Sequence, residues 1–250
     1  MTRMGRLKCT IQYDGILFNG YQIQPNKRTI QGEIEKVLSK MHKGQDMRIV
    51  GSGRTDAGVH ALGQVIHFDS SLEIHETGWK KALNAQLPDD IYVLRVEKVD
   101  SNFHARFDVK EKEYHYLVLN QEAPDLFKRN YMLHFPYSID TGKIQEACRF
   151  LEGTHDFTTF SSSKATVKGD KVRTIYEASC ERKGNQIEFI FRGSGFLYNM
   201  VRILVGVLLD VGQGKMKPED IPILLEKRDR TVVGKTMDAG GLYMWKVTYK

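Results

Sequence analysis

The stretch Gly51-Ser52-Gly53-Arg54-Thr55-Asp56-Ala57-Gly58-Val59-His60 places three glycines, one guanidinium and one carboxylate within a few residues. Glycine admits φ > 0 and lets the backbone come close to a ligand. Short strand-like stretches flank this segment at 47–50 and 64–68, so it reads as a shaped connection between strands. Asp56 then has two readings. It closes a turn by bonding its own backbone, as Asp does between strands, or it is a carboxylate presented for chemistry. Taken alone, the loop favours the turn.

Working outward, residues 7–13 alternate and end at Asp14-Gly15, which predicts a strand and a turn. Thr29 is placed to cap a helix whose face carries Ile30, Ile34, Val37, Leu38 and Met41. A second helix over 76–85 and a strand over 91–99 follow. The second half predicts a strand at 113–119 and a helix capped by Asp140 that carries Ile144, Ala147, Cys148 and Leu151. A hairpin over 172–182 and 186–192 turns at Gly184-Asn185. A long helix covers 196–211, a short one has Pro218 in its first turn, and a closing strand covers 242–249. Strands returning through hairpins, with helices interspersed, predict an α+β class with antiparallel sheets. The division falls near residues 100–112, giving halves 1–105 and 106–250.

The helix over 196–211 bears on Asp56. Between Phe196 and Leu209 its single charge is Arg202, which shares a narrow polar stripe with Tyr198, Asn199 and Gly206 at 100° per residue. So apolar a helix is expected to be buried on most sides, and a buried guanidinium is costly unless it meets a carboxylate. Gly206, one turn on, leaves room for something to approach. The sequence predicts an acidic partner for Arg202 in a crevice, and a lone carboxylate on a glycine loop suits that need.

Composition narrows the function classes. The chain has 250 residues, 41% hydrophobic and 27% charged, with no apolar run near the ~20 residues of a membrane helix. Its start, Met1 to Arg6, is short and basic without an apolar export segment, and a cytoplasmic location is expected. Cys9, Cys148 and Cys180 are far apart and form no C-x-x-C pair, which argues against disulfides and zinc. The net charge is +6. Basic residues cluster at Lys27-Arg28, Lys80-Lys81, Lys128-Arg129, Lys164 with Lys168, Lys171 and Arg173, and Lys227-Arg228 with Arg230. Basic patches among aromatic residues suit a folded polyanion with unpaired bases. Phosphate-loop and dinucleotide fingerprints are absent.

Gly53-Arg54-Thr55-Asp56-Ala57-Gly58-Val59-His60-Ala61, with Gln64-Val65 and His67-Phe68-Asp69, resembles the signature of the tRNA pseudouridine synthase A family. Further blocks follow in order along nearly the whole chain. They are Tyr13-Asp14-Gly15, Phe18-Asn19-Gly20-Tyr21-Gln22, Ala82-Leu83-Asn84 with Leu87-Pro88, and Phe103-His104-Ala105-Arg106. Beyond these lie Tyr114-His115-Tyr116, His155-Asp156-Phe157, Gly195-Phe196-Leu197 with Met200-Val201-Arg202, and Gly241-Leu242.

The resemblance implies two similar α+β halves whose antiparallel sheets join into one continuous sheet, with helices on one side. It implies Asp56 as nucleophile, Tyr114 packed on the target base and Arg202 paired with Asp56. Arg54 is implied to hold RNA with its base displaced, and His60 and Leu197 to line the substrate site. The implied partner is tRNA, at uridines 38, 39 and 40 of the anticodon arm. A homodimer is implied, with no metal and no organic cofactor.

Two other readings remain open: an RNA-binding protein without catalysis, and a metal-dependent phosphoesterase using Asp56-x-x-x-His60. One departure stands out. Relatives commonly have Arg-Thr-Ala-Pro before the last Gly-Leu, where this chain has Lys235-Thr236-Met237-Asp238-Ala239-Gly240-Gly241-Leu242. That opens the choice of uridines, or of RNA.

Overall fold

The computed structural model describes residues 4–162 and 169–250. Met1 to Arg3 of the basic start, and Lys164 and Lys168 of one basic cluster, lie outside the described residues. The chain forms two compact units, Met1–Lys110 with Met244–Lys250, and Glu111–Tyr243.

In the first unit the alternation of residues 7–13 becomes β1 (Gly5–Tyr13), with Leu7, Cys9, Ile11 and Tyr13 buried. Thr29 caps α1 (Ile30–Met41), its side chain accepting from the Gly32 N–H, and Ile30, Ile34, Val37 and Leu38 face the core. The strand predicted at 47–50 shrinks to β2 (Val50–Gly51). Met47 and Ile49 are buried, but the Ile49 N–H donates to Glu35 Oε1 at 3.0 Å instead of entering a ladder.

β3 (His60–Ser70) is longer than its predicted core of 64–68. It is buried on both faces along most of its length, so alternation fades where the strand continues. α2 (Glu76–Asn84) buries Trp79 and Leu83. The Asn84 amide accepts from Val93 N at 2.7 Å and donates to Val93 O at 3.0 Å, which fastens the helix end to β4 (Ile91–Val99). β3 and β4 flank β1 on either side, both antiparallel to it.

The second unit is built on β5 (Val109–Leu119), which pairs in parallel with the short β6 (Leu133–His134). Asp140 caps α3 (Thr141–Arg149), accepting from Lys143 N, and Ile144, Ala147 and Cys148 are buried. β7 (Gly153–Asp156) precedes the predicted hairpin, β8 (Val172–Lys183) and β9 (Gln186–Gly193), and the strand order is β5-β9-β8-β7, antiparallel throughout.

α4 (Met200–Gly212) starts four residues later than predicted because Asn199 takes φ 61°, a left-handed conformation that ends the helix N-terminally. α5 (Asp220–Lys227) starts after Pro218 and Glu219, and α3 packs on α4. A Cβ on Gly212 would lie 2.7 Å from Ile144 Cδ1, so the Ile144 side chain packs closely on the backbone of α4 there. In β10 (Leu242–Tyr249), residues from Met244 onward belong to the first unit, beside β3. The fold is α+β with predominantly antiparallel pairing, as the sequence predicts.

Cys9 and Cys148 are fully buried and Cys180 half-buried, all free thiols. Burial pushes the Cys9 thiol up to about 12, so it is an apolar filler. Among the described residues no helix is long and apolar enough to cross a membrane.

His67 on β3 shows how burial sets a protonation state. Its Nδ1 accepts from the Ala105 N–H at 3.1 Å, which requires a neutral ring at that nitrogen. Burial above all, then the Arg6 guanidinium and His104, lowers its pKa from 6.5 to about 4. In the unfolded chain the imidazole takes its proton near 6.5, but in the fold only near 4. This contribution to stability is therefore complete above pH 6.5 and is lost as pH falls through that window. Urea unfolding of the wild type is expected to weaken from pH 6.5 to 4 more steeply than that of His67→Gln. Identical slopes would remove this linkage.

Candidate active site

The loop of residues 51–60 is held at its start by Gln64. The Ser52 N–H donates to Val65 O at 2.8 Å, and the Ser52 hydroxyl donates to Gln64 Oε1 at 2.5 Å. Gln64 Nε2 donates in turn to Gly53 O at 3.0 Å, and Gln64 itself is fully buried. At its centre Thr55 is bound twice. Its hydroxyl meets the Tyr13 phenol at 2.8 Å, and its carbonyl accepts from Tyr21 N at 3.0 Å.

Asp56 itself begins a turn in which Val59 N donates to the Asp56 carbonyl at 3.1 Å, with Gly58 at φ 79°. Positive φ at the third residue is what a type II turn requires. The main-chain carbonyl of Asp56 closes this turn. Asp56 is partly exposed and Arg54 exposed.

Only Gly58 of the three glycines has positive φ; Gly51 and Gly53 do not. Gly51 serves a close approach, since a Cβ there would lie 2.4 Å from the Tyr21 phenol oxygen. Two glycines outside the loop matter as much. A Cβ on Gly15 would lie 2.0 Å from Val59 O, and one on Gly20, at φ 92°, would lie 3.0 Å from Thr55 O. The chain leaving β1 therefore lies directly against the loop's backbone. Tyr13, Gly15, Gly20, Tyr21 and Gln64 all stand in the quoted sequence blocks, but nothing in those blocks assigns them this holding role.

His60 is buried, and its Nδ1 accepts from Gly15 N at 3.1 Å. Asp14 Oδ1 lies 3.2 Å from the same nitrogen. One Nδ1 does not both accept from an N–H and donate to a carboxylate, and the well-aligned Gly15 N–H fixes it as acceptor. His60 thus stands behind the loop and positions it. Among the described residues no group of three or more His, Cys, Asp or Glu is arranged to hold a metal ion.

In the second unit, Tyr114 on β5 is buried and meets Phe196 edge to face, with ring centroids 5.1 Å apart. Leu197 is also buried, in the turn before α4. Arg202 is partly exposed on the first turn of α4. Its Nε donates to Met237 O at 2.6 Å and one terminal nitrogen to Asn199 Oδ1 at 3.0 Å. One main-chain carbonyl and one side-chain amide oxygen thus hold this guanidinium.

The space left by Gly206 is filled by the chain itself: a Cβ there would lie 3.0 Å from Lys235 O and 3.2 Å from Met237 Cε. The atypical 235–242 segment is therefore seated on α4 and β5, and the Tyr116 phenol also donates to Asp238 O at 2.7 Å. The hydrogen bonds at 237 and 238 use main-chain carbonyls, while the Met237 side chain packs against Gly206.

Several clustered cations are already engaged. Arg28 forms a two-pronged pair with Asp90 at 2.6 and 2.9 Å and lies over the Phe18 ring. Arg228 pairs with Asp156 at 3.2 Å, and Lys128 with Asp125 at 3.6 Å. Arg230 donates to Val233 O. Part of the clustered positive charge is structural.

Comparison with known proteins gives one consistent result. A family profile described as tRNA pseudouridine synthase matches residues 10–108 and 147–250. A protein of Oceanobacillus iheyensis named tRNA pseudouridine synthase A is 61% identical over 247 residues, covering 99% of this chain and 98% of that one. One of the same name from Geobacillus kaustophilus is 56% identical, covering 98% and 95%. A Bacillus cereus protein named tRNA pseudouridine synthase A 1 is 54% identical, covering 98% and 99%.

The backbone contact at Gly15 is open to test. Gly15→Ala is expected to destabilise the protein by about 1–3 kcal/mol or more, as overpacking against immobile backbone does. Gly5→Ala is the control, since its Cβ would meet nothing nearer than Ser70 O at 3.9 Å. Equal urea midpoints for Gly15→Ala and the wild type would refute the close approach.

Proposed function

Because this chain belongs to the tRNA pseudouridine synthase family, we propose that it isomerises uridine to pseudouridine in tRNA with Asp56 as its nucleophile. The observation that carries the assignment is the loop's construction. Thr55, Gly53 and the Asp56 carbonyl are all fastened by main-chain or buried side-chain bonds, and this held backbone carries the loop's one carboxylate. A side chain presented from so constrained a backbone is suited to attack, because little freedom remains to be lost on reaching the reactive geometry.

The reaction breaks the N1–C1′ bond of uridine, turns the base and joins C5 to C1′; the C5 hydrogen leaves as a proton and the freed N1 takes up a proton. Electrons and atoms balance without an oxidant or an energy source. One carboxylate serves, by attack at C1′ or at C6 or by assisting elimination to a glycal. Arg202 is the cation assigned to keep Asp56 ionised, as a neighbouring guanidinium does. Tyr114, whose ring is braced by Phe196, is assigned to the displaced base. Stacking there offsets part of the roughly few kcal/mol that unstacking costs. Arg54 is assigned to hold the RNA, Leu197 to line the base site, and His60 to support the loop from behind. Following the family resemblance, the substrate uridines are 38, 39 and 40 of the anticodon arm, the enzyme is a cytoplasmic homodimer, and neither metal nor organic cofactor takes part.

The test uses tRNA transcripts tritiated at C5 of uridine, without added metal or nucleotide. The wild type is expected to release tritium, and Asp56→Ala to reduce release by at least about a thousandfold while still binding tRNA. Equal release by both would refute the Asp56 assignment. Transcripts without uridines at 38–40 test the positions, since undiminished release would place the reaction elsewhere. Arg202→Lys is expected to remain impaired, because one ammonium does not reproduce the fork that reaches Met237 O and Asn199 Oδ1 together.

A further inference from the structure

The block Phe103-His104-Ala105-Arg106 has no part in the chemistry above, yet it leads to an unusual surface. Phe107, the next residue, is 75% exposed. Its ring is not loose. One face stacks on His104, with centroids 4.2 Å apart and planes 21° from parallel. His104 meets His67 at 5.1 Å, His67 meets Phe103 at 6.1 Å, and Phe103 meets Tyr249 at 5.0 Å. Phe107 is thus the outer end of a ladder of five rings rooted in the first unit.

The backbone beneath it is fixed at almost every step. His104 Nδ1 accepts from both Arg106 N and Phe107 N at 3.2 Å. His104 N donates to Asp108 Oδ2 at 2.7 Å, and Asp108 N to His104 O at 3.1 Å. Ala105 O accepts from the Tyr249 phenol at 2.7 Å, and Phe103 O from Arg6 at 2.9 Å. Arg106 is exposed, has its guanidinium carbon 5.9 Å from the Phe107 ring, and has no carboxylate partner among the described residues.

An apolar ring left in water loses favourable burial, so a loop that spends this many bonds holding one outward presents it for contact. A flat face with a cation beside it matches a nucleobase and its phosphate. A protein interface needs ≈ 1,000 Å² or more with an apolar centre, whereas Ser101, Asn102, Arg106, Asp108 and Lys110 surround Phe107 in sequence. We propose that Phe107 is a fixed stacking platform for an unpaired nucleotide of the RNA substrate other than the target uridine, with Arg106 holding an adjacent phosphate. This rests on the reading of the chain as an enzyme acting on tRNA. Because the ring is already immobilised by His104, stacking on it orders little further.

The experiment measures the affinity of the full chain for a tRNA transcript across salt concentrations, together with single-turnover tritium release at saturating enzyme. Phe107→Ala is expected to weaken binding roughly five- to hundredfold, the range for losing one base–aromatic stack. Phe107→Trp and Phe107→Tyr are expected to restore it. The loss should appear in affinity rather than in the maximal single-turnover rate, and the dependence of log affinity on log salt should keep its slope. Arg106→Ala should make that slope shallower by about 0.7–0.9, one phosphate contact.

Wild-type affinity in Phe107→Ala would overturn the proposal. So would a binding loss that tracks a change in oligomeric state, which would make the ring a contact between copies. If the wild type neither binds nor modifies tRNA, the parent reading fails and this inference with it. If the wild type acts on tRNA and Phe107→Ala binds equally well, this inference alone fails. An unchanged unfolding midpoint for Phe107→Ala separates the binding effect from misfolding.

Discussion

Everything proposed for Asp56 depends on one backbone contact, the passage of the chain leaving β1 across the loop of residues 51–60. At Gly15 this passage leaves no space for a Cβ against Val59 O, and at Gly20 a φ of 92° and a tight 3.0 Å approach to Thr55 O favour glycine. Such contact is available only to glycine, and it converts an irregular loop into part of the sheet's own framework. The Tyr13 phenol on Thr55 and the Tyr21 N–H on the Thr55 carbonyl then bind the residue just before Asp56 on two sides. A nucleophile on an unsupported surface loop would have to order its backbone at each turnover. Here folding has already done so, and the ladder between β1 and β3 supplies the stability.

The second unit holds Arg202 with one main-chain and one side-chain acceptor. Arg202 is oriented by the Met237 carbonyl and the Asn199 amide oxygen, and Asn199 contributes only because it adopts the left-handed conformation that delays the start of α4. Asparagine tolerates that region better than other residues with a Cβ. The Met237 and Asp238 carbonyls are available whatever side chains stand there. These carbonyl acceptors do not depend on side-chain identity, whereas Met237 packs against Gly206, and Gly240 and Gly241 leave no room for a Cβ.

Much of this was legible in the sequence where a local rule decides the outcome. Thr29 and Asp140 cap their helices as the spacing predicts, and β1 follows its alternation. Gly184-Asn185 turns the hairpin, with Gly184 at φ 61°. The reading fails where tertiary contact outbids the local pattern. The strand at 47–50 is cut short because Glu35, a helix residue, takes the Ile49 N–H. β3 outruns its alternating core because it is covered on both faces. Gly206 was legible as a site of close approach, but what approaches is the chain's own 235–237 segment, and no periodicity encodes contact between residues so far apart. The holding roles of Tyr13 and Gln64 were hidden for the same reason.

Histidine shows how the fold separates support from chemistry. Three imidazoles of the first unit, His60, His67 and His104, use Nδ1 to accept backbone N–H groups from Gly15, Ala105, and Arg106 with Phe107. Only a ring unprotonated at that nitrogen does this. Each histidine is thereby a short, rigid bridge between a core strand or loop and a backbone turn that has no ladder partner. The arrangement commits these rings to a single tautomer, with Nδ1 as acceptor. His60 thus braces the loop of residues 51–60 through Gly15, while His67 and His104 brace the turn of residues 103–108.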